Sequence, residues 1–356
     1  MCLFSSLERI LEFLFDYGLF LAKSITVIAG ILIVTAFVIG SSHRHKDADT
    51  GHIEVKNLND SLQAVTQSLK SVVLNPEARK LDIKNEKKRH KEIQRTQKQD
   101  IKSGNDSRAK LFVLDFKGDM QATEVANLRE EITAILSIAG EKDEVMVRLE
   151  SPGGVVHGYG LAASQLQRVR NKGVPLTVAV DKVAASGGYM MACIANHIIA
   201  APFALLGSIG VVAQLPNVHR LLKKNDIDFE VLTAGEFKRT LTVFGENTEK
   251  ARQKFVDDLE DVHSLFKDFV ADHRPAVIID QVATGEAWFG RRALEKNLVD
   301  QLKTSDEYLV DKSEVMEVFH VRYVLHKHRL DRLIDKVAKL LAPTGMGYSV
   351  PEERIS

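Results

Sequence analysis

From Leu111 to Phe116 (LFVLDF) apolar residues run almost without a break, the pattern of a strand buried on both faces. Thr123 to Ile138 places apolar residues at helical spacing and Glu144 to Leu149 (EVMVRL) returns to a strand, so the three segments read as a β-α-β unit. The alternation continues with a helix over Gly160–Arg170, a strand over Leu176–Val180, a helix over Gly187–Ala195 and a short strand over His197–Ala200. A strand over Gly210–Ala213, a helix over Val218–Lys224, a strand over Phe229–Leu232, a long helix from Glu246 to Asp272 and an apolar cluster from Leu294 to Leu302 follow. Strands alternating with helices predict an α/β domain whose mostly parallel sheet is covered on both faces. Its Gly-rich turns fall just after strands, where such sheets place their ligand sites.

The flanks have other patterns. Tyr17 to Gly40 is apolar apart from Lys23 and long enough to cross a bilayer as a helix, with Lys23 near one end where its stem can snorkel. A cleaved signal peptide fits less well, because Gly40-Ser41-Ser42-His43 is a poor cleavage site. A buried core helix is disfavoured by the lack of a polar face between Ile25 and Ile39. Arg44 and Lys46 put the C-terminal portion in the cytoplasm by the positive-inside rule, which long domains largely escape, so the side of the membrane is left open. Residues 41–110 are polar, densest in charge at Glu86–Lys102, and read as a stalk of solvated helix or spacer. Leu62, Val65, Leu69 and Val72 recur at helical spacing and predict an amphipathic helix for a partner subunit or the membrane surface. The chain therefore divides into a short segment 1–16, a transmembrane helix 17–40, a stalk 41–110, a catalytic domain 111–312 and a basic tail 313–356 with an amphipathic stretch at Leu330–Leu341.

Composition narrows the function little. Lys plus Arg and Asp plus Glu number 48 each, so no net field argues for nucleic acid or an acidic substrate. The two cysteines, Cys2 and Cys193, give neither metal-ligand spacing nor a disulfide framework.

Three turns carry candidate chemistry. Ser151-Pro152-Gly153-Gly154 leaves backbone N–H groups uncovered and can form half an oxyanion hole; taken alone it is as well a simple tight turn. No Lys-Ser/Thr follows the glycines, so a phosphate loop is not supported. In Ala184-Ala185-Ser186-Gly187-Gly188 a serine opens a helix, where unpaired N–H groups favour negative charge; the competing use of Ser186 is as a plain helix cap. Thr233-Ala234-Gly235-Glu236-Phe237-Lys238 sets a lysine among small and apolar residues, and desolvation is what lets a lysine serve as a base; the competing reading is a surface lysine.

The motifs SPGG at 151–154, AASGGYMMA at 184–192, GSIGV at 207–211 and TAGEFKRTLT at 233–242 resemble those of the signal peptide peptidase A family of Ser-Lys peptidases, over Leu111–Leu302. The resemblance implies a Clp protease/crotonase-like fold, no cofactor or metal, a polypeptide substrate and a homo-oligomer enclosing its active sites. It implies a single-pass protein of the bacterial inner membrane. It also implies that Ser186 attacks the scissile carbonyl, that Lys238 takes its proton and that Ser208 orients the lysine amine. The oxyanion would be held by Gly153 or Gly154 together with Gly187, and the substrate chain by strand addition at Val155 and at Gly210, Val211 and Val212. Rival classes are a crotonase-type acyl-CoA enzyme, which needs no Ser-Lys pair, and an inactive membrane scaffold, against which intact Ser186, Ser208 and Lys238 speak. Lys182 reads as a solvated rim residue. His157, His197 and His219 lack an acidic partner at triad spacing. Cys193 reads as a buried small hydrophobe and Trp288 and Phe289 as core or interface residues.

Overall fold

The computed structural model describes residues 17–30, 51–102 and 108–325. Residues 17–30 form helix α1, with Tyr17, Phe20, Ile25, Val27 and Ile28 exposed. Among the described residues no helix is long and apolar enough to cross a membrane; the span expected at 17–40 lies outside them from residue 31 onward. The expected amphipathic stretch at Leu330–Leu341 also lies outside them.

Residues Ile53–Val324 form one compact unit. Its elements in chain order are β1 (His52–Asn57), α2 (Leu58–Val73), α3 (Pro76–Lys102), β2 (Lys110–Lys117), α4 (Val125–Leu136), β3 (Glu144–Glu150), α5 (Val156–Asn171) and β4 (Leu176–Val180). There follow β5 (Val183–Ala185), α6 (Gly187–Ala192), β6 (His197–Ala200), β7 (Leu205–Gly207), α7 (His219–Lys224), α8 (Glu249–His273) and α9 (Ile279–Val282). The last are β8 (Ala287–Phe289), α10 (Gly290–Glu295), β9 (Gln301–Leu302), α11 (Ser305–Val315) and β10 (Glu317–Val324).

The main sheet has the order β1-β10-β2-β3-β4-β6-β9, and every pair from β10 to β9 is parallel. Parallel neighbours need crossovers, and α4, α5 and α6 supply them. The uninterrupted apolar runs of β2, β3 and β4 are explained by burial on both faces. Phe112, Leu114 and Phe116 pack under α4 and α5, whereas Leu111 and Val113 face a smaller cluster with Tyr308 and Leu309 of α11. A second sheet, β5-β7-β8, is joined to the first where Ser151 bridges to Ala184, just past the end of β3.

Four sequence expectations change. The tail expected from residue 313 begins later, because Glu317–Val324 is the inner strand β10, paired with β2 from Glu317↔Lys110 to His320↔Val113. The stalk is partly built into the unit: β1 adds to the sheet edge, and the Asn59 side chain of α2 donates to the carbonyls of Ser313 and Met316 at 2.9 and 3.1 Å and accepts from Val318 N–H at 2.7 Å. Residues 210–213 and 229–232 are not strands, since no neighbouring backbone pairs with them. Helix α8 buries only Phe266 and Val270 near its C-terminal end.

Candidate functional site

The site is assembled by backbone pairing at the ends of short strands. Ser151 N–H donates to Val183 O (2.8 Å) and Ala185 N–H to Ser151 O (3.0 Å), which lays the SPGG turn alongside β5. Ser186 N–H donates to Gly207 O at 2.8 Å, and Ala185 pairs with Gly207 in the β5-β7 register. Ser186 and Ser208 therefore follow paired residues of two adjacent parallel strands, and both have positive φ, 52° and 50°. Such a backbone costs a non-glycine residue of order 1–3 kcal/mol and persists only where the surroundings impose it.

Ser186 stands at the start of α6, yet its side chain makes no capping hydrogen bond. The hydroxyl is left for other work, which the cap reading did not provide for. Gly153 (φ +90°) lies against it: a Cβ there would meet Ala185 O at 2.7 Å and both Gly187 N and the Ser186 Cβ at 2.8 Å. Glycine at 153 is thus required twice over, by conformation and by contact.

The turn's N–H groups are sorted. Gly153 donates to Ser151 Oγ at 3.1 Å and Val155 to Met120 O at 2.9 Å, while no hydrogen bond engages Gly154 among the described residues. Of the two expected alternatives, Gly153 is already committed, and Gly154 is the free donor of this turn. Gly187, in the first turn of α6, has no intrahelical acceptor for its N–H. A hydroxyl in a strained loop, with free N–H groups on flanking turns, has the parts required of a nucleophile beside an oxyanion pocket.

The other expected residues are placed less tightly. Ser208 Oγ donates to Gly285 O at 3.3 Å and its N–H to Glu286 O at 2.7 Å. Lys238 is exposed, in a turn closed by its N–H to Gly235 O at 3.2 Å, and no hydrogen bond joins its side chain to Ser186 or Ser208 among the described residues. The sheltered amine expected from its apolar neighbours is not formed by one chain, because those neighbours are themselves exposed: Leu232 is 91% and Phe237 46% accessible. Val155 turns its N–H to Met120 O, and Gly210, Val211 and Val212 form an open segment with Val212 exposed, not a strand edge.

Lys182 is exposed and pairs with Glu150 at 3.1 Å. His197 Nδ1 lies 3.8 Å from Asp300 Oδ2, and His219 Nδ1 lies 3.3 Å from Phe244 O, neither bonded to Ser186. Burial pushes the Cys193 thiol up, so it is inert at neutral pH. Trp288 packs on Gly207 with Lys296 4.1 Å above its ring. Two residues escaped the sequence reading: Tyr159, whose hydroxyl meets Ser151 Oγ at 2.5 Å, and Gly118, a glycine directly after a strand, where any Cβ would collide with both hydroxyls. The position of Gly118 at a strand end was the one signal available.

Comparison with known proteins gives a consistent picture. The model of the peptidase family S49 N-terminal region matches residues 12–166, and that of peptidase family S49 matches residues 168–318. A relative from Haemophilus influenzae named "Probable protease SohB" is 51% identical over 320 residues, covering 89% of this chain and 90% of that protein. Another of that name, from Buchnera aphidicola subsp. Acyrthosiphon pisum, is 58% identical over 238 residues, 67% of this chain and 71% of that protein. A solved structure of the 1510-N membrane-bound stomatin-specific protease, a lysine-to-alanine mutant with a substrate peptide, aligns with TM-score 0.39 and 15% identity over 65% of this chain and 99% of that one. With both family models lying end to end across the strands and turns described above, the chain belongs to peptidase family S49, a family of proteases.

Proposed function

We propose that this protease is a membrane-anchored serine endopeptidase with a Ser-Lys dyad on a Clp protease/crotonase-like scaffold. Ser186 Oγ attacks the scissile carbonyl while the Lys238 amine takes its proton, Ser208 orients that amine, and the N–H groups of Gly154 and Gly187 hold the oxyanion. The observation that carries the reading is the uncapped, positive-φ Ser186 set against Gly153, with the free Gly154 N–H next in the same turn.

A lysine acts as a base only without its proton, and desolvation favours that form. The exposure of Lys238 in one chain is therefore a reason to expect a homo-oligomer, whose second copy covers the segment from Val211 to Gly245. That segment exposes Val212, Leu221, Phe229, Leu232, Phe237 and Phe244, and the Phe229 and Phe244 rings lie 5.3 Å apart; exposed apolar side chains gathered in this way mark interaction surfaces. Anchoring rests on the apolar run 17–40, of which residues 17–30 are helical with their apolar side chains exposed. A single pass of the bacterial inner membrane follows, and polypeptides at that surface, such as signal-peptide remnants, would enter in extended form beside Val155 and Gly210–Val212.

The test is cleavage of fluorescein-labelled casein by the full-length protein in detergent micelles. The parent releases labelled peptides and Ser186→Ala does not. Equal cleavage by both would remove Ser186 from the reaction.

A further inference from the structure

Beneath the turn at 151–155 lies a buried chain of hydroxyls that the proposed reaction does not use. Tyr159 of α5 places its Oη 2.8 Å from Asp119 O and 2.5 Å from Ser151 Oγ, and Gly153 N lies 3.1 Å from the same Ser151 Oγ. A carbonyl only accepts, so the phenol proton goes to Asp119 O. The phenol oxygen must then accept from the Ser151 hydroxyl, whose oxygen accepts from Gly153 N–H. Every proton in the chain has one direction.

The network is tightly enclosed. Ser151 and Tyr159 are both fully buried. Desolvation holds the phenol above its ordinary range, so it stays a donor through neutral pH. Gly118 leaves room for the two hydroxyls, and a Cβ on Gly154 would strike Met120 O in the same segment. The Tyr159 ring lies under Gly187, where any Cβ would strike it, and a Cβ on Gly188 would come within 2.6 Å of Ser151 O. One side chain therefore braces both glycine turns, through its hydroxyl on one side and its ring on the other.

The consequence is a sorting of amides. With Gly153 N–H tied down through Ser151 and Val155 N–H tied to Met120 O, Gly154 N–H is the amide of this turn left without a hydrogen bond among the described residues. We infer that Tyr159 and Ser151 are positioning residues, which hold the SPGG turn so that Gly154 N–H meets the developing oxyanion over Ser186; the inference rests on the peptidase reading.

The test is steady-state kinetics of the full-length protein on an internally quenched peptide, with a peptide aldehyde as the tetrahedral probe. Tyr159→Phe keeps the ring against Gly187 and removes the hydroxyl. Loss of an oxyanion donor typically lowers kcat by 10²–10³, so a displaced one is expected to cost about 10- to 100-fold in kcat, with KM within about two-fold. The aldehyde Ki should rise in step with the loss of kcat/KM. Ser151→Ala should act alike, and the double variant should lose no more than either single one, as members of one chain do. Full kcat in Tyr159→Phe, or a lowered Tm with kcat unchanged, would overturn the positioning role, as would a rise confined to KM. Should Tyr159→Phe fail to fold, the same kcat-against-KM split in Ser151→Ala decides. A parent protein that neither cleaves the peptide nor binds the aldehyde sinks the peptidase reading itself, whereas an active parent beside an equally active Tyr159→Phe sinks only this inference.

Discussion

The serine half and the lysine half of the proposed site are built in opposite ways. Around Ser186 the backbone of β5, β7 and the SPGG turn is cross-bonded at 2.8–3.0 Å, Ala184, Gly187 and Tyr189 are buried, and the glycines are in contact with their neighbours. Around Lys238 the segment from Val211 to Thr248 contains one short helix, no strand, and large apolar side chains turned to solvent. A single chain thus preorganises the proposed nucleophile and oxyanion donors but leaves the proposed base exposed. The proposed reaction needs both, so the difference marks where the proposed second copy would act.

Four experiments break or sharpen that contrast, taken from the largest effect down. Lys238→Arg keeps a cation and cannot supply a neutral amine; casein cleavage should fall by about 10²–10⁴, the usual contribution of a general base. Normal turnover would take the lysine out of the account. Gly153→Ala attacks the rigid half, forcing a Cβ to 2.8 Å from the Ser186 Cβ at φ +90°. It should lower unfolding stability by about 2–4 kcal/mol in urea melts, where Gly235→Ala, whose Cβ would meet only the Lys238 Cβ at 3.9 Å, costs less.

The third concerns pH. Glu131 of α4 is buried and accepts from Tyr323 N–H at 2.8 Å, and burial raises its carboxyl from 4.5 to about 7. Because the folded pKa lies above the unfolded one, the folded state binds the extra proton between the two values, and stability falls as pH rises from about 4.5 to about 7. Glu131→Gln, which keeps the acceptor oxygen, should remove that decline and gain about 2–3 kcal/mol at pH 8 relative to the parent. A parallel pH profile in both proteins would contradict it. The smallest effect tests burial of the lysine half: Leu232→Glu with Phe237→Glu should lower the particle mass by light scattering and cut activity by about ten-fold, with the Tm of the folded chain unchanged. Unaltered mass with unaltered activity would place the covering surface elsewhere.

What the sequence disclosed follows the same division. Leu111–Phe116 and Leu176–Val180 could be read because strands buried on both faces are continuously apolar. Strands β5 and β7, with three residues each, could not, since their pairing is imposed by Ser151 and by each other instead of by local pattern. Strand β10 was hidden by His320 and Arg322, which made EVFHVRYV look like part of a basic tail, although Val318 and Val321 are core residues. Phe229–Leu232 shows the converse: its apolar pattern is that of a strand, but among the described residues no strand lies beside it. At the site, Ser186 and the glycines were legible as motifs, whereas the bond from Tyr159 to Ser151 is a tertiary contact that neither residue announces.

The most direct measurement is the rate of phosphonylation by a fluorophosphonate, with the modified residue found by mass spectrometry, across neutral to alkaline pH. With a Ser186–Lys238 dyad the label sits on Ser186, its rate rises with pH in the parent, and Lys238→Ala is at least about 100-fold slower. Label on another residue, or an equal rate with and without Lys238, would contradict it.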